Sequence, residues 1–203
     1  MAGKSSKLML VPKLRPGEGK EIEVIRRTVP QPDGTTAYEF DIDISHAPVP
    51  DRRYVADAGA VLFEGDGLRV VLGQKRLLSA SSLRSAVVVF LSPQAVVQFL
   101  RSCVNFYPSL RGYAEQHHIS ETLVEIKEEP EHVTSITSNV ILAAFSGREA
   151  CLDFYNSSPF VQGIAQRGGK WALDPILRVD LTTGLLLAIL DKMEGLQASL
   201  PTF

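Results

Sequence analysis

Cysteine is scarce in this chain, and no charge dominates it. The 203 residues include two cysteines, Cys103 and Cys151. That is too few for a thiolate zinc pattern or a disulfide framework, and two free thiols in a reducing compartment is the reading that follows. Net charge is −2, so the chain as a whole has no electrostatic signature for nucleic acid or a membrane surface. Long apolar runs are missing too. Nothing approaches the roughly 20 residues that span a bilayer, and the apolar stretch Leu8–Val11 is too short for a signal-peptide core. The expectation is a cytoplasmic protein with no membrane partner. Catalytic signatures are equally absent. No Gly-x-Ser-x-Gly elbow frames a nucleophile. Pro16-Gly17-Glu18-Gly19-Lys20 lacks the Ser/Thr, the glycine spacing and the preceding strand of a phosphate loop. No residue set specifies a reaction, so the expectation is a protein that is not an enzyme and needs no cofactor.

What is present is patterning. Ala86 to Leu91 is an unbroken apolar run, rich in β-branched residues and too short for a helix, which predicts a strand covered on both faces. Ser92 then supplies a helix cap and Pro93 a first helical residue whose missing N–H costs nothing. Val96, Phe99, Leu100, Cys103 and Tyr107 share one helical face, and Pro108 is expected to end the helix.

The remaining chain divides around this stretch. Residues 1–19 form a basic tail without periodicity; residues 1–20 carry five Lys/Arg against one Glu. Residues 20–53 read as a β-hairpin, Lys20–Val29 and Thr36–Ser45 joined by Pro30-Gln31-Pro32-Asp33-Gly34, followed by a linker. Residues 54–111 read as strands Tyr54–Glu64, Leu68–Leu77 and Ala86–Leu91 plus the helix, with Gly65-Asp66-Gly67 as a tight turn and Ser79–Ser82 as a loop. Residues 112–132 form a linker with six Glu against one Lys, holding at most a short strand at Leu123–Lys127. Residues 133–203 restart the pattern, with strands Thr137–Phe145, Arg148–Tyr155 and Trp171–Asp180, the last broken near Pro175, then a helix from Thr182 to Leu196.

The two units align. An offset of 80 brings Gly67 onto Gly147 and Leu72 onto Leu152, and an offset of 90 brings Leu91-Ser92 onto Leu181-Thr182 and Phe99 onto Ile189. The change of offset puts ten extra residues in the Asn156–Lys170 loop. The fold class expected is α+β: tandem β-β-β-α repeats forming a pseudo-dimer of antiparallel sheets with one helix each, plus the N-terminal hairpin extending one sheet.

These units resemble a small uncharacterised bacterial family, a domain of unknown function. Its members begin with a Tyr-Ser/Ala-Asn strand, pass through a Leu-Asp-Phe strand and enter a helix at Leu/Met-Ser/Thr-Pro-Gln-His-Ala-Lys. The first unit keeps Leu91-Ser92-Pro93-Gln94 but continues Ala95-Val96, and has Leu72-Gly73-Gln74 for Leu-Asp-Phe. The second keeps Ser138-Asn139 and Leu152-Asp153-Phe154 but has Thr182-Thr183-Gly184 at the cap. The resemblance covers about 54–111 and 133–196 and implies a fold; the family brings no established activity. The strand order is also similar to the SecB export chaperone, and more loosely to Whirly and PUR single-strand binders.

Several residue groups are weighed as sites. His117-His118 with Glu115, Glu121 and Glu125 have metal-ligand chemistry, but adjacent histidines on an acidic linker read first as solvated side chains. Asp41, Asp43 and His46 read as the outward face of a half-buried strand. Asp153, among apolar residues, reads as a hydrogen-bonded structural acid. The partner-binding candidates are Arg167, Lys170 and Trp171, the most exposed-looking basic–aromatic cluster, with Arg69, Lys75 and Arg76 from the basic first unit. The duplicated scaffold without catalytic residues points to a non-enzymatic interaction protein: an adaptor, assembly factor or SecB-like chaperone-type binder with a protein partner, or a homo-oligomer. The alternative is a single-stranded nucleic-acid binder using the first unit and the tail.

Overall fold

The computed structural model describes residues 20–30, 36–42, 44, 47–76, 79–126, 130, 132–158 and 169–201. Each half of the chain is built around a two-residue turn. Strands β4 (Ala58–Glu64) and β5 (Gly67–Arg76) meet at Gly65-Asp66, and β8 (Val140–Ser146) and β9 (Glu149–Asn156) meet at Gly147-Arg148. Gly65 and Gly147 have φ of 61° and 62°. A left-handed residue at the first central position matches the twist of the flanking strands, and only glycine takes it without strain.

The third strand of each unit, β6 (Ser79–Leu91) or β10 (Gly169–Thr182), pairs antiparallel with the second. Each then enters a helix, α1 (Pro93–Cys103) or α3 (Thr183–Gln197). Ser92 Oγ accepts the Ala95 N–H at 3.2 Å, and Thr182 Oγ1 accepts the Leu185 N–H at 3.1 Å. The caps thus satisfy equivalent orphan donors.

Strand pairing corrects the alignment of the halves. Ala58 faces Gly73 as Val140 faces Tyr155, a displacement of 82 rather than 80. Leu68 faces Leu91 as Ala150 faces Leu181, so the loop difference is eight residues, not ten. The turn glycine equivalent to Gly147 is therefore Gly65, not Gly67. Hydrogen bonds repeat in the same register. Asp57 N–H donates to Gly73 at 3.0 Å and Asn139 N–H to Tyr155 at 3.3 Å. Asp57 Oδ1 accepts from Lys75 N–H at 2.7 Å and Asn139 Oδ1 from Ser157 N–H at 2.8 Å.

The expected separate sheets are instead interlocked by exchanged strands. β3 (Arg53–Val55), which precedes the first unit, pairs parallel with β10 of the second. β7 (His132–Thr137), which precedes the second unit, pairs parallel with β6 of the first. The expected strand Tyr54–Glu64 therefore breaks at Ala56-Asp57, and the chain before β8 supplies a strand of its own. β1 (Lys20–Pro30) and β2 (Thr36–Ile42) form the expected hairpin, and β1 docks on the first half of β10. The result is a six-stranded sheet, β2-β1-β10-β9-β8 with β3 also on β10, and a four-stranded sheet, β4-β5-β6-β7. Both contain one parallel pair, so neither is purely antiparallel. β10 is continuous through Pro175, with a register shift between Pro175 and Leu177.

One apolar core joins the halves. Val70, Leu72, Val87 and Val89 from one sheet and Leu152, Phe154, Leu177 and Val179 from the other surround Val96 and Phe99 of α1 and Leu186 and Ile189 of α3. α1 packs on β8 and α3 on β4, so each helix reaches the other unit's first strand.

Two helix expectations need correction. α1 ends at Cys103, and Pro108 lies in the first turn of a further helix, α2 (Tyr107–Gln116), instead of ending the first. The missing N–H that ends a helix downstream is harmless at its start. α2 occupies the beginning of what composition marks as the acidic linker. It closes at His118, whose φ is 53°, with Ile119 N–H returning to Ala114 C=O at 2.8 Å. This is the left-handed helix stop usually taken by glycine or asparagine.

Candidate functional site

Sheet edges are where this fold meets its surroundings, and its two equivalent edges, β4 and β8, differ. After α2 the chain runs as a strap past the start of α3, along β4 and on to β7. The Glu121 carboxylate accepts from Thr182 Oγ1. Val124 N–H donates to the outward-turned carbonyl of Gly59 on β4 at 2.8 Å. Leu123 packs into the shared core, while Val124 and Ile126 pack on the separate cluster of Ala58, Ala60, Val71, Leu83, Ala86 and Val88 on the outer sheet face. Among the described residues the expected strand at Leu123–Lys127 makes a single backbone bond to β4, at Gly59, with Lys127 outside the described residues.

The counterpart of Gly59 is Ile141. Among the described residues, no backbone hydrogen bond reaches the outer side of β8. The reason is topological: the chain entering the first unit arrives from the β1–β2 hairpin on the other side of β10, so among the described residues no strap crosses to β8. The strand reads Val-Ile-Leu-Ala-Ala-Phe-Ser, with no charge, proline or glycine. Val140 and Ile141 are buried, and Ala144 and Ser146 are exposed. Such an edge has unpaired main-chain groups and none of the usual deterrents to pairing. The edge strand β2, by contrast, alternates Glu39 and Asp41 with its apolar residues.

The outer face beside β9 and β10 is charged. Asp153, 7% exposed, accepts from Arg178 Nε and Nη2, both at 2.6 Å, and from the Tyr155 hydroxyl at 3.2 Å. Arg53 makes a second forked pair, with Asp180, the closest contact at 2.9 Å. The hydrogen bond to Asp153 raises the Arg178 pKa. Burial first, then Asp153, pushes up the Tyr155 hydroxyl. Cys151, on the same face, is pushed up by burial and by Asp153. The acid is thus locked by complementary partners in a structural role.

A shallow groove of about 230 Å³ lies where the three helices meet, floored by Leu100, Cys103 and Leu190 and rimmed by Arg101, Val104 and Glu194. Arg111 Nη2 donates to the Tyr107 hydroxyl at 2.8 Å and to Asp191 at 2.7 Å, and that hydroxyl donates to Asp191. Burial, then Asp191, pushes Tyr107 up to about 12. Burial alone pushes Cys103 up to about 12. A buried protonated thiol is a poor nucleophile, and both cysteines are free.

The residues singled out in the sequence do not form one surface. Lys170 pairs with Glu21 at 2.8 Å. Trp171 donates from Nε1 to Ser157 Oγ at 2.7 Å and packs beside Ile22, Tyr155 and Leu173. Arg69 lies 3.5 Å from Glu64 and 5.9 Å from the Phe90 ring centre. Lys75 and Arg76 lie at the far end of β5, roughly 20 Å along the strand. Arg167 falls outside the described residues, as do Asp43 and His46. His117 lies against Tyr113, ring centres 4.3 Å apart, and among the described residues no three His, Cys, Asp or Glu side chains gather as a metal site. The β8 edge was missed; its signal was an uncharged seven-residue strand, whose edge position no periodicity discloses.

Comparison with protein-family models, curated proteins and solved structures finds no match. No helix among the described residues is long and apolar enough to cross a membrane.

Proposed function

We propose that this protein is a non-enzymatic protein-binding module, an adaptor or chaperone-type binder, that takes up an extended segment of a partner along the outer edge of β8. The observation that carries this reading is the contrast between two equivalent edges: the outer side of β4 is met by the chain's own strap at Gly59, while the outer side of β8 has no backbone partner among the described residues. Strand addition draws affinity from main-chain bonds and tolerates varied partner sequence. The dispersed basic residues argue against a single-stranded nucleic-acid surface, which needs a continuous charged groove with stacking aromatics.

Ala143 is the residue to test. Like Ile141 two positions earlier, it turns its N–H away from β9. Ala143→Pro therefore removes an outward donor and leaves the β8–β9 ladder intact, as edge prolines do. Proteins recovered from native lysate after nuclease treatment should be retained by the wild-type chain and by a chain starting at Glu21, and lost with Ala143→Pro. Recovery that is indifferent to Ala143→Pro, or that consists of nucleic acid released by moderate salt, would overturn the reading.

A further inference from the structure

The open edge is complementary to itself. Resting on the reading of β8 as a binding edge, we infer that in the free protein β8 pairs antiparallel with β8 of a second copy, about a twofold axis at Ala143, and that a partner segment competes with this pairing for the same main-chain groups. The register follows from which residues face outward. Ser146 and Glu149 close the two-residue turn as a hydrogen-bonded pair. Ser146, Ala144, Leu142 and Val140 therefore turn their main-chain groups to β9, and Ile141, Ala143 and Phe145 turn theirs away. β8 is last in its sheet, and among the described residues no backbone hydrogen bond reaches those three from outside. Pairing centred on Ala143 sets Ala143 opposite Ala143 of the second copy, and Ile141 opposite Phe145 in both directions. Every outward N–H and C=O then has a partner. Centring on Leu142 instead sets Phe145 opposite Asn139, whose N–H is already given to Tyr155. Centring on Ala144 sets Ile141 opposite Gly147, in the turn.

Side chains fit the same axis. On the outer face the pairing lays half-buried Leu142 against exposed Ala144 of the second copy, large against small. On the core face it brings Ile141 beside Phe145, whose ring centre lies 6.2 Å from Phe106 and 6.4 Å from Tyr113 within its own copy. A β-branched residue opposite an aromatic one stabilises a sheet. The strand carries no charge, so none meets its like across the axis. In β2 the same operation about Phe40 would set Glu39 opposite Asp41, two like charges. On β4 the strap already takes the outward carbonyl of Gly59. The contact is one strand wide, small beside the roughly 1,200 Å² that a stable interface buries. The dimer is therefore reversible, and dilution frees the edge for a partner.

Sedimentation velocity of the full chain over a dilution series should show a monomer–dimer equilibrium. Ala143→Pro removes an outward donor at the axis, and Ala144→Glu sets a carboxylate against Leu142 of the second copy. Each should raise the dimer dissociation constant by at least about tenfold. Leu142→Lys should weaken the dimer in the same way, with circular dichroism confirming that all three variants fold. An equimolar mixture of Leu142→Lys and Ala144→Glu should dimerise more tightly than either variant alone. Of the three registers, the one centred on Ala143 is the one that sets the new ammonium directly opposite the new carboxylate. A chain that stays monomeric throughout the series while partner recovery still depends on Ala143 would overturn this inference and leave the edge a partner site. A dimer indifferent to all three variants would overturn it by placing the contact elsewhere. A mixture no tighter than its components would overturn the register. A monomeric chain together with partner recovery indifferent to Ala143→Pro would end both readings.

Discussion

At the scale of single residues, polar groups hold the halves in register. Asp57 and Asn139 each donate their own N–H to the facing strand, at Gly73 and Tyr155, and accept with their side chains the N–H two residues further on, of Lys75 and Ser157, a local pair of bonds that fixes where the hairpin ends. Asp153 does more, because it neutralises a guanidinium that lies largely out of water; the two side chains are 9% and 22% exposed. Asp153→Ala should destabilise by about 3 kcal/mol by leaving Arg178 unpaired, whereas Asp153→Leu with Arg178→Met should be nearly neutral. Urea denaturation of the two variants checks this. Cys103 supplies a pH dependence. Burial raises its thiol from 9.0 to about 12, so the folded state holds this proton more tightly than the unfolded chain. The resulting stability is complete below pH 9 and is lost as pH rises towards 12. Cys103→Ala should flatten the loss of stability over that interval, measured by denaturation midpoints at stepped pH; an unchanged slope would show that the thiol makes no contribution.

At the scale of elements, the caps carry unequal loads. Ser92 caps α1 alone, whereas Thr182 caps α3 and also binds the strap through Glu121. Ser92→Ala should cost about 1 kcal/mol. Thr182→Ala should cost more, and it should also speed amide hydrogen exchange at Val124, because the strap loses an anchor beside its backbone bond to Gly59. Equal costs with unchanged exchange would show that the strap is held by its apolar residues alone. α2 holds the tip of the second hairpin. Phe145 lies 6.2 Å from Phe106 and 6.4 Å from Tyr113, centre to centre. Its counterpart Phe63 on the first hairpin is 47% exposed.

At the scale of the molecule, strand exchange makes the halves interdependent. β3 belongs in sequence to one half and in space to the other, as does β7, and α1 and α3 share one core. Phe99→Ala and Ile189→Ala should each cost about 2–5 kcal/mol. Both should lower the same single unfolding transition followed by circular dichroism and tryptophan fluorescence. Two separable transitions, or a fragment of residues 132–201 that folds as a monomer, would contradict a shared core.

Local chemistry made much of this legible from sequence. The runs Ala86–Leu91 and Phe99 with its helical neighbours, the caps at Ser92 and Thr182, and the turn glycines act within a few residues, so their signals are contiguous. The repeat was legible too, because both units need the same alternation and caps. Its register was off by two residues in the hairpins, since Gly65 and Gly67 are equally glycine and only the pairing of Ala58 with Gly73 separates them. Pro108 was ambiguous for the same reason: its missing N–H suits a helix start as well as a stop. What the tertiary structure alone decided was partnership at a distance. Nothing in Arg53–Val55 or His132–Thr137 states that each pairs with the opposite unit. Nothing in Leu123-Val124 states that it bonds to Gly59 of β4, and nothing in Val140–Ser146 that its outer side meets no backbone donor among the described residues. An edge is a property of what does not arrive beside a strand, and that depends on the path of the whole chain.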